Sequence, residues 1–190
     1  QAFRDAMKYF VIFSMIIFLG VMFYLDILKY FISPRYFSGL KVVPIVMIAE
    51  FFFGIFFNLS LWYKLTDRTY WGTIFSVGGL AITVTFNLIL VPRIGYMGCA
   101  WAALICYGSM MVTSWAVGKK LHPIGYNVPR LALYFASAMA LYIISIFLST
   151  SNEWLNMAVR TPMLLFYVWF VLKVEHLNIR QLLPIKNHNK

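Results

Sequence analysis

From position 9 to position 172 the chain is a nearly unbroken succession of apolar residues, cut at intervals by short connectors that carry charge, Pro or Gly. A run of roughly 20 apolar residues is long enough to cross a bilayer core as a helix. The pattern predicts six such spans, at residues 9–27, 42–63, 70–91, 95–117, 131–151 and 154–172, and a basic tail over 173–190. Lys8 and Asp26 bracket the first span, Glu50 alone interrupts the second, and Arg160 stands near the start of the sixth. Arg93 separates the third and fourth so closely that Val91-Pro92-Arg93-Ile94-Gly95 must turn as a tight hairpin. Lipid offers the backbone no hydrogen-bond partners, so each span should be a helix. Barrel strands would alternate over about 10 residues, and these runs do not. The expected fold is an all-α membrane protein, a bundle of six transmembrane helices.

Composition agrees. Hydrophobic residues are 62% of the 190, charged residues only 12%, and no soluble core of this size hides so much apolar surface. The net charge of +10 reads as topology. With both termini cytoplasmic, the inner segments hold Arg4, Lys8, Lys64, Arg68, Lys119, Lys120, Arg130, Lys173, Arg180, Lys186 and Lys190. The outer side keeps Lys29, Arg35, Lys41, Arg93 and Arg160, and the stretch from Ser149 to Glu153 has no basic residue. That bias follows the positive-inside rule and implies contact with anionic lipid headgroups. Split among separate connectors, the basic residues form no nucleic-acid patch.

Catalytic and metal chemistry find no foothold. His122, His176 and His188 fall in a connector and the tail, so no buried metal cluster is expected, and no cofactor. No Gly-rich phosphate loop or nucleophile–base spacing points to an enzyme. Cys99 and Cys106 are two turns apart on one helix, too far to bridge, and read as small packing residues.

Polar residues at membrane depth are the informative ones. A carboxylate at mid-span costs roughly 2.5–3.5 kcal/mol on insertion scales, so Glu50 should face a cavity or partner, or be protonated. Gly54 and Asn58 follow at four-residue steps on the same helical face. Such a stripe either lines a cavity or packs against a neighbouring helix through Gly54, and the cavity is the favoured reading for Glu50. In the third span Ser76, Gly79, Thr83 and Asn87 recur at three or four residues, and in the fourth Gly98, Ala102, Cys106, Ser109 and Thr113. Both stripes read mainly as packing surface, with Asn87 kept as an amide near the outer end of its span. Arg160 can pair with a carboxylate or reach the outer headgroups, and the second is expected. Asp26 and Lys29 are spaced to pair on one helical face. Thr66 or Asp67 is placed to cap the third helix, and the stretch from Gly118 to Arg130, with Pro123, Gly125 and Pro129, should not be helical throughout.

Two segments carry a resemblance. Asn58-Leu59-Ser60-Leu61-Trp62-Tyr63-Lys64-Leu65-Thr66-Asp67-Arg68-Thr69, and then Asn87-Leu88-Ile89-Leu90-Val91-Pro92-Arg93-Ile94-Gly95-Tyr96-Met97-Gly98-Cys99-Ala100-Trp101-Ala102, are similar to bacterial polysaccharide-biosynthesis membrane proteins. These are the lipid-linked oligosaccharide flippases of the multidrug/oligosaccharidyl-lipid/polysaccharide superfamily, and Ser33-Pro34-Arg35-Tyr36 resembles their loop before the corresponding spans. The resemblance covers nearly the whole chain and rests on hairpin and packing signatures. It implies the C-terminal lobe of a transporter with about 12–14 helices, with a missing N-terminal helical bundle as partner. The chain opens on Gln1 and not on Met, and reads as the later part of a longer protein. The implied activity is to flip an undecaprenyl-diphosphate-linked oligosaccharide across the bacterial inner membrane for O-antigen, capsule or exopolysaccharide synthesis. Glu50, Asn58, Asn87 and Arg160 are the candidates for the substrate path, and Arg35, Lys41, Lys64, Arg68 and Arg160 could attract the diphosphate by charge alone.

Two alternatives stay open. A multidrug or organic-cation antiporter of the same superfamily would use Glu50 as its titratable acid. A non-transporting scaffold of a polysaccharide assembly complex would bury Glu50 and Asn58 against helices with no cavity.

Overall fold

One helix organises the others. Met7, Val11, Met15, Phe18 and Met22 recur along the first long helix at three or four residues, with Ile12, Leu19 and Phe23 beside them, and all eight are buried. In the computed structural model, which describes residues 2–121, 125–148 and 153–175, this helix is α1 (Ala2–Phe23). Beyond it the chain forms a short turn of helix, α2 (Leu25–Leu28), and 3-10 stretches at Lys29–Phe31 and Pro34–Val42. Then come α3 (Val43–Leu59), α4 (Leu61–Leu65), α5 (Tyr70–Ile94), α6 (Tyr96–Leu121), α7 (Val128–Phe147) and α8 (Glu153–Val174). Among the described residues, six segments are long and apolar enough to cross a membrane, at Phe3–Phe23, Pro34–Leu65, Tyr70–Ile94, Tyr96–Leu121, Val128–Phe147 and Asn156–Val174. The protein is an all-α, multi-pass membrane bundle.

The helices form two groups that meet where α1 packs on α3. In the first, α1 takes α7 and α8 against its buried face, through Tyr134 and Ala138 of α7 and Tyr167 and Val171 of α8. In the second, α6 packs on both α3 and α5. Its core is aromatic and sulfur-rich: Phe56, Trp62, Tyr63, Phe75, Cys106 and Met110. Lipid tails are as apolar as leucine, so burial alone does not hold these helices together. Close contact does, and small residues permit it. The Cys106 thiol lies 3.3 Å from the Gly79 carbonyl oxygen, and Gly54 of α3 receives the ring of Phe10 from α1. The small-residue stripes of the third and fourth spans are thus packing surface at Gly79, Gly98, Ala102 and Cys106, all buried.

Two connections differ from the sequence expectation, and the Gly118–Arg130 stretch, not helical throughout, agrees with it. The predicted five-residue hairpin is helical through Ile94, and the reversal falls on Gly95 alone. Its φ of 61° with ψ of −141° is open only to glycine. Pro92 lies inside the last turn of α5, where it withholds the one backbone donor that residue 92 would otherwise offer to Leu88. Neither Thr66 nor Asp67 caps α5. The Thr66 hydroxyl donates back to the Trp62 carbonyl at 2.9 Å. Asp67 takes a left-handed φ of 53° while the Arg68 amide donates to the Tyr63 carbonyl, so this turn ends α4 in a six-to-one closure and does not start α5. α6 continues to Leu121 and α7 starts at Val128 with Asn127 as its N-cap, accepting from the Arg130 amide at 3.4 Å. His122, His176, His188 and the predicted basic tail beyond Glu175 lie outside the described residues, as does most of the Ser149–Glu153 connector.

A methyl group tests the closest of these contacts. A Cβ on Gly98 would stand 2.7 Å from the Leu90 carbonyl carbon and 2.8 Å from the Val91 nitrogen, backbone atoms that cannot move aside. A Cβ on Gly78 would meet nothing within 4 Å. Gly98→Ala should lower the unfolding midpoint in mild detergent, at a cost of about 1–3 kcal/mol. Gly78→Ala should hold or raise it, by up to about 1 kcal/mol of helix propensity.

Candidate functional site

Glu50 lies two turns into α3, exposed, on the face that α3 turns toward α1. Between the two helices opens a groove of about 620 Å³. Phe10, Ser14 and Ile17 of α1 form one wall, with Glu50, Phe57 and Asn58 on the other. Among the described residues Glu50 makes no ion pair and accepts no hydrogen bond. Asn58 shares the groove but spends its amide on its own helix, donating to the Gly54 carbonyl at 3.0 Å. Gly54, between them, is filled by Phe10. The stripe is therefore mixed: its middle packs, and its first member stands open.

The other two candidates lie elsewhere. Asn87 donates to the Thr83 carbonyl at 2.9 Å on α5 and does not line the groove. Arg160 does not reach for headgroups. Its guanidinium donates to the Asp26 carboxylate at 2.7 Å and to the Phe23 carbonyl at 3.3 Å, and its side chain is only 12% exposed. α8 runs antiparallel to α1, which sets its first turns beside the end of α1, where the Asp26 carboxylate meets the guanidinium directly. Tyr24 and Thr161 add a hydroxyl pair at 2.9 Å in the same place.

The opposite end of α1 holds a cluster that sequence reasoning passed over. Glu175, just past α8, has a side chain 4% exposed. Lys8 donates to one of its oxygens at 2.7 Å, and the Tyr134 hydroxyl donates to the other. Arg130 lies 3.3 Å from that second oxygen, donates to the Tyr134 hydroxyl at 3.2 Å, and caps the end of α8 by donating to the Val174 carbonyl at 2.8 Å. α1, α7 and α8 are thereby tied at one end by a single carboxylate. Burial pushes the Glu175 carboxyl up, but hydrogen bonds from Lys8 and Tyr134 and the charges of Lys8 and Arg130 outweigh it and hold the group below its ordinary value. The available sequence signal was that Glu175 is the lone acid after the sixth span, among lysines and arginines.

No protein-family model matches the chain, and neither a curated protein nor a solved structure does.

Two measurements test these ionic ties. If Arg160 and Asp26 act as a pair, Asp26→Ala, Arg160→Ala and the double variant should be non-additive by roughly 1 kcal/mol or more in unfolding free energy. Additive losses would mean that they do not interact. For Glu175, the depressed folded value means that its contribution is complete above the ordinary carboxyl value of 4.5 and is lost as pH falls through the folded one. The unfolding midpoint in neutral detergent should therefore fall on acidification below pH 4.5. Glu175→Gln should start lower, by roughly 2–3 kcal/mol at neutral pH, and fall less over the same window.

Proposed function

We propose that this chain is a helical lobe of a membrane transporter of the lipid-linked oligosaccharide flippase type, with the Glu50 carboxylate facing its transport path. The observation that carries the reading is the exposed, unpaired carboxylate at mid-span, opening on a groove of about 620 Å³. An acid at that depth is costly unless water, a proton or a partner meets it. At the ends of α1 the bundle pairs the acids Asp26 and Glu175 with arginine or lysine, so its helices can match a carboxylate where packing calls for one. A scaffold that only needed six packed helices would gain nothing from leaving Glu50 open.

The groove also constrains the chemistry. Its walls are mostly apolar, with Phe10, Ile17 and Phe57 among them, and they suit a prenyl chain. Its carboxylate suits a proton or a cation and repels a diphosphate, which must be met by cationic groups elsewhere on the protein. The cargo itself is supported by the resemblance of the Asn58–Thr69 and Asn87–Ala102 segments. Glu50 equally favours a second reading, an organic-cation antiporter of the same superfamily.

Glu50→Gln keeps the shape and removes the charge. In the intact transporter it should impair translocation of lipid-linked sugar at least about tenfold, equivalent to about 1.4 kcal/mol on the rate-limiting step, while protein level and unfolding midpoint stay unchanged. Loss of drug efflux with sugar translocation intact would select the antiporter. Full activity in both assays would reject transport through this groove.

A further inference from the structure

Beside the Glu175 cluster the structure holds a second, separate cavity. About 290 Å³ in volume, it is lined by Arg4, Asp5 and Lys8 at the start of α1 and by Asn127, Arg130 and neighbouring residues at the start of α7. It shares no residue with the Glu50 groove. Three cations face it against one acid, Asp5, and Glu175 behind it balances one more. Arg4 has no ion pair among the described residues. The amino end of α7 points into the same space and adds roughly half a positive charge. The net balance is close to one and a half positive charges, which matches a phosphodiester monoanion better than a doubly charged phosphate.

What adjoins this cleft identifies the rest of the ligand. Tyr126 and Leu131 line it and also line an almost wholly apolar pocket of about 300 Å³ enclosed by α1, α3, α6 and α7. Val11, Phe52, Ile55, Met111 and Phe135 form its walls. Val112, Trp115 and Ala132 are exposed at its rim, so it opens sideways onto the surface that faces lipid. A charged socket at the end of the bundle continues into a hydrocarbon-lined one at membrane depth. That is the polarity profile of a lipid with an anionic head.

We propose that the Arg4–Lys8–Arg130 cleft and the adjoining apolar pocket together bind one anionic phosphodiester membrane lipid, headgroup at the arginines and one acyl chain between α1, α3, α6 and α7. Such a lipid would bridge the two helix groups, since the pocket draws its walls from α1 and α7 on one side and from α3 and α6 on the other. The proposal does not rest on the transport reading, because cargo and lipid would occupy different cavities.

The test titrates the purified protein in neutral detergent with dioleoylphosphatidylglycerol, dioleoylphosphatidylcholine or inorganic phosphate, and reads bound lipid by native mass spectrometry. Phosphatidylglycerol should saturate at one site, more than about fivefold tighter than phosphatidylcholine, given about 1 kcal/mol per basic residue near an anionic head. Arg4→Gln should weaken phosphatidylglycerol about fivefold and leave phosphatidylcholine unchanged. Ala132→Trp, at an exposed rim position, should fill the chain pocket and weaken both lipids. Neither residue belongs to the Glu175 cluster or to the buried cores, so both variants should keep the parent unfolding midpoint. Equal binding of the two lipids, indifference of phosphatidylglycerol to both substitutions, or its displacement by inorganic phosphate at similar affinity would each overturn the assignment.

Discussion

α1 is held at both ends by ions and along its length by close contact, and the shape of the bundle follows from that. Lys8 near its start reaches Glu175, and Asp26 just past its end reaches Arg160. Both partners belong to or adjoin α8, so the two helices are fixed antiparallel and in register over a full membrane crossing. An ion pair in the middle of such a contact would be costly to desolvate, whereas one at each end keeps access to the polar layer. Between them, van der Waals contact along Met7, Val11, Met15, Phe18 and Met22 completes the interface.

That arrangement decides what is left over. Once α7 and α8 occupy the buried face of α1, the Phe10–Ser14–Ile17 side remains for α3. The two helices meet closely at Gly54, where Phe10 is accepted, and part around Glu50 and Phe57. The groove is thus a consequence of packing a ring against a glycine beside a helix already committed elsewhere. A larger residue at position 54 would displace the Phe10 ring and reshape the groove without touching the carboxylate.

Much of this was legible in the order of residues. Six apolar runs bounded by charge are a direct reading of bilayer thickness, and the small-residue stripes at Gly79 and Gly98 are a direct reading of helix contact. What escaped was long-range. Arg160 and Asp26 are 134 positions apart, and no local spacing reveals that an antiparallel neighbour brings them together. Glu175 was hidden for the same reason: its partners sit on the first and fifth spans, and its own neighbourhood looks like an ordinary basic tail. The turn after Lys64 was misread because Asp67 can serve either side of a connector. The backbone bond from Arg68 to Tyr63 settled which helix it serves.

The contrast among the acids is the strongest argument for a functional groove. Charge at a bundle's ends can be explained by assembly alone, since Asp26 and Glu175 each hold two or more helices together. Glu50 holds none. Its position gives it no neighbouring cation, its helix gains nothing from it in propensity over a leucine, and the insertion cost falls on it in full. Asn58, on the same face, shows how a polar side chain at depth is made harmless by donating to its own backbone. A carboxylate has no proton to donate once ionised and cannot use that escape. Only water, a proton or a bound cation can meet it, and the groove between α1 and α3 lies directly in front of it.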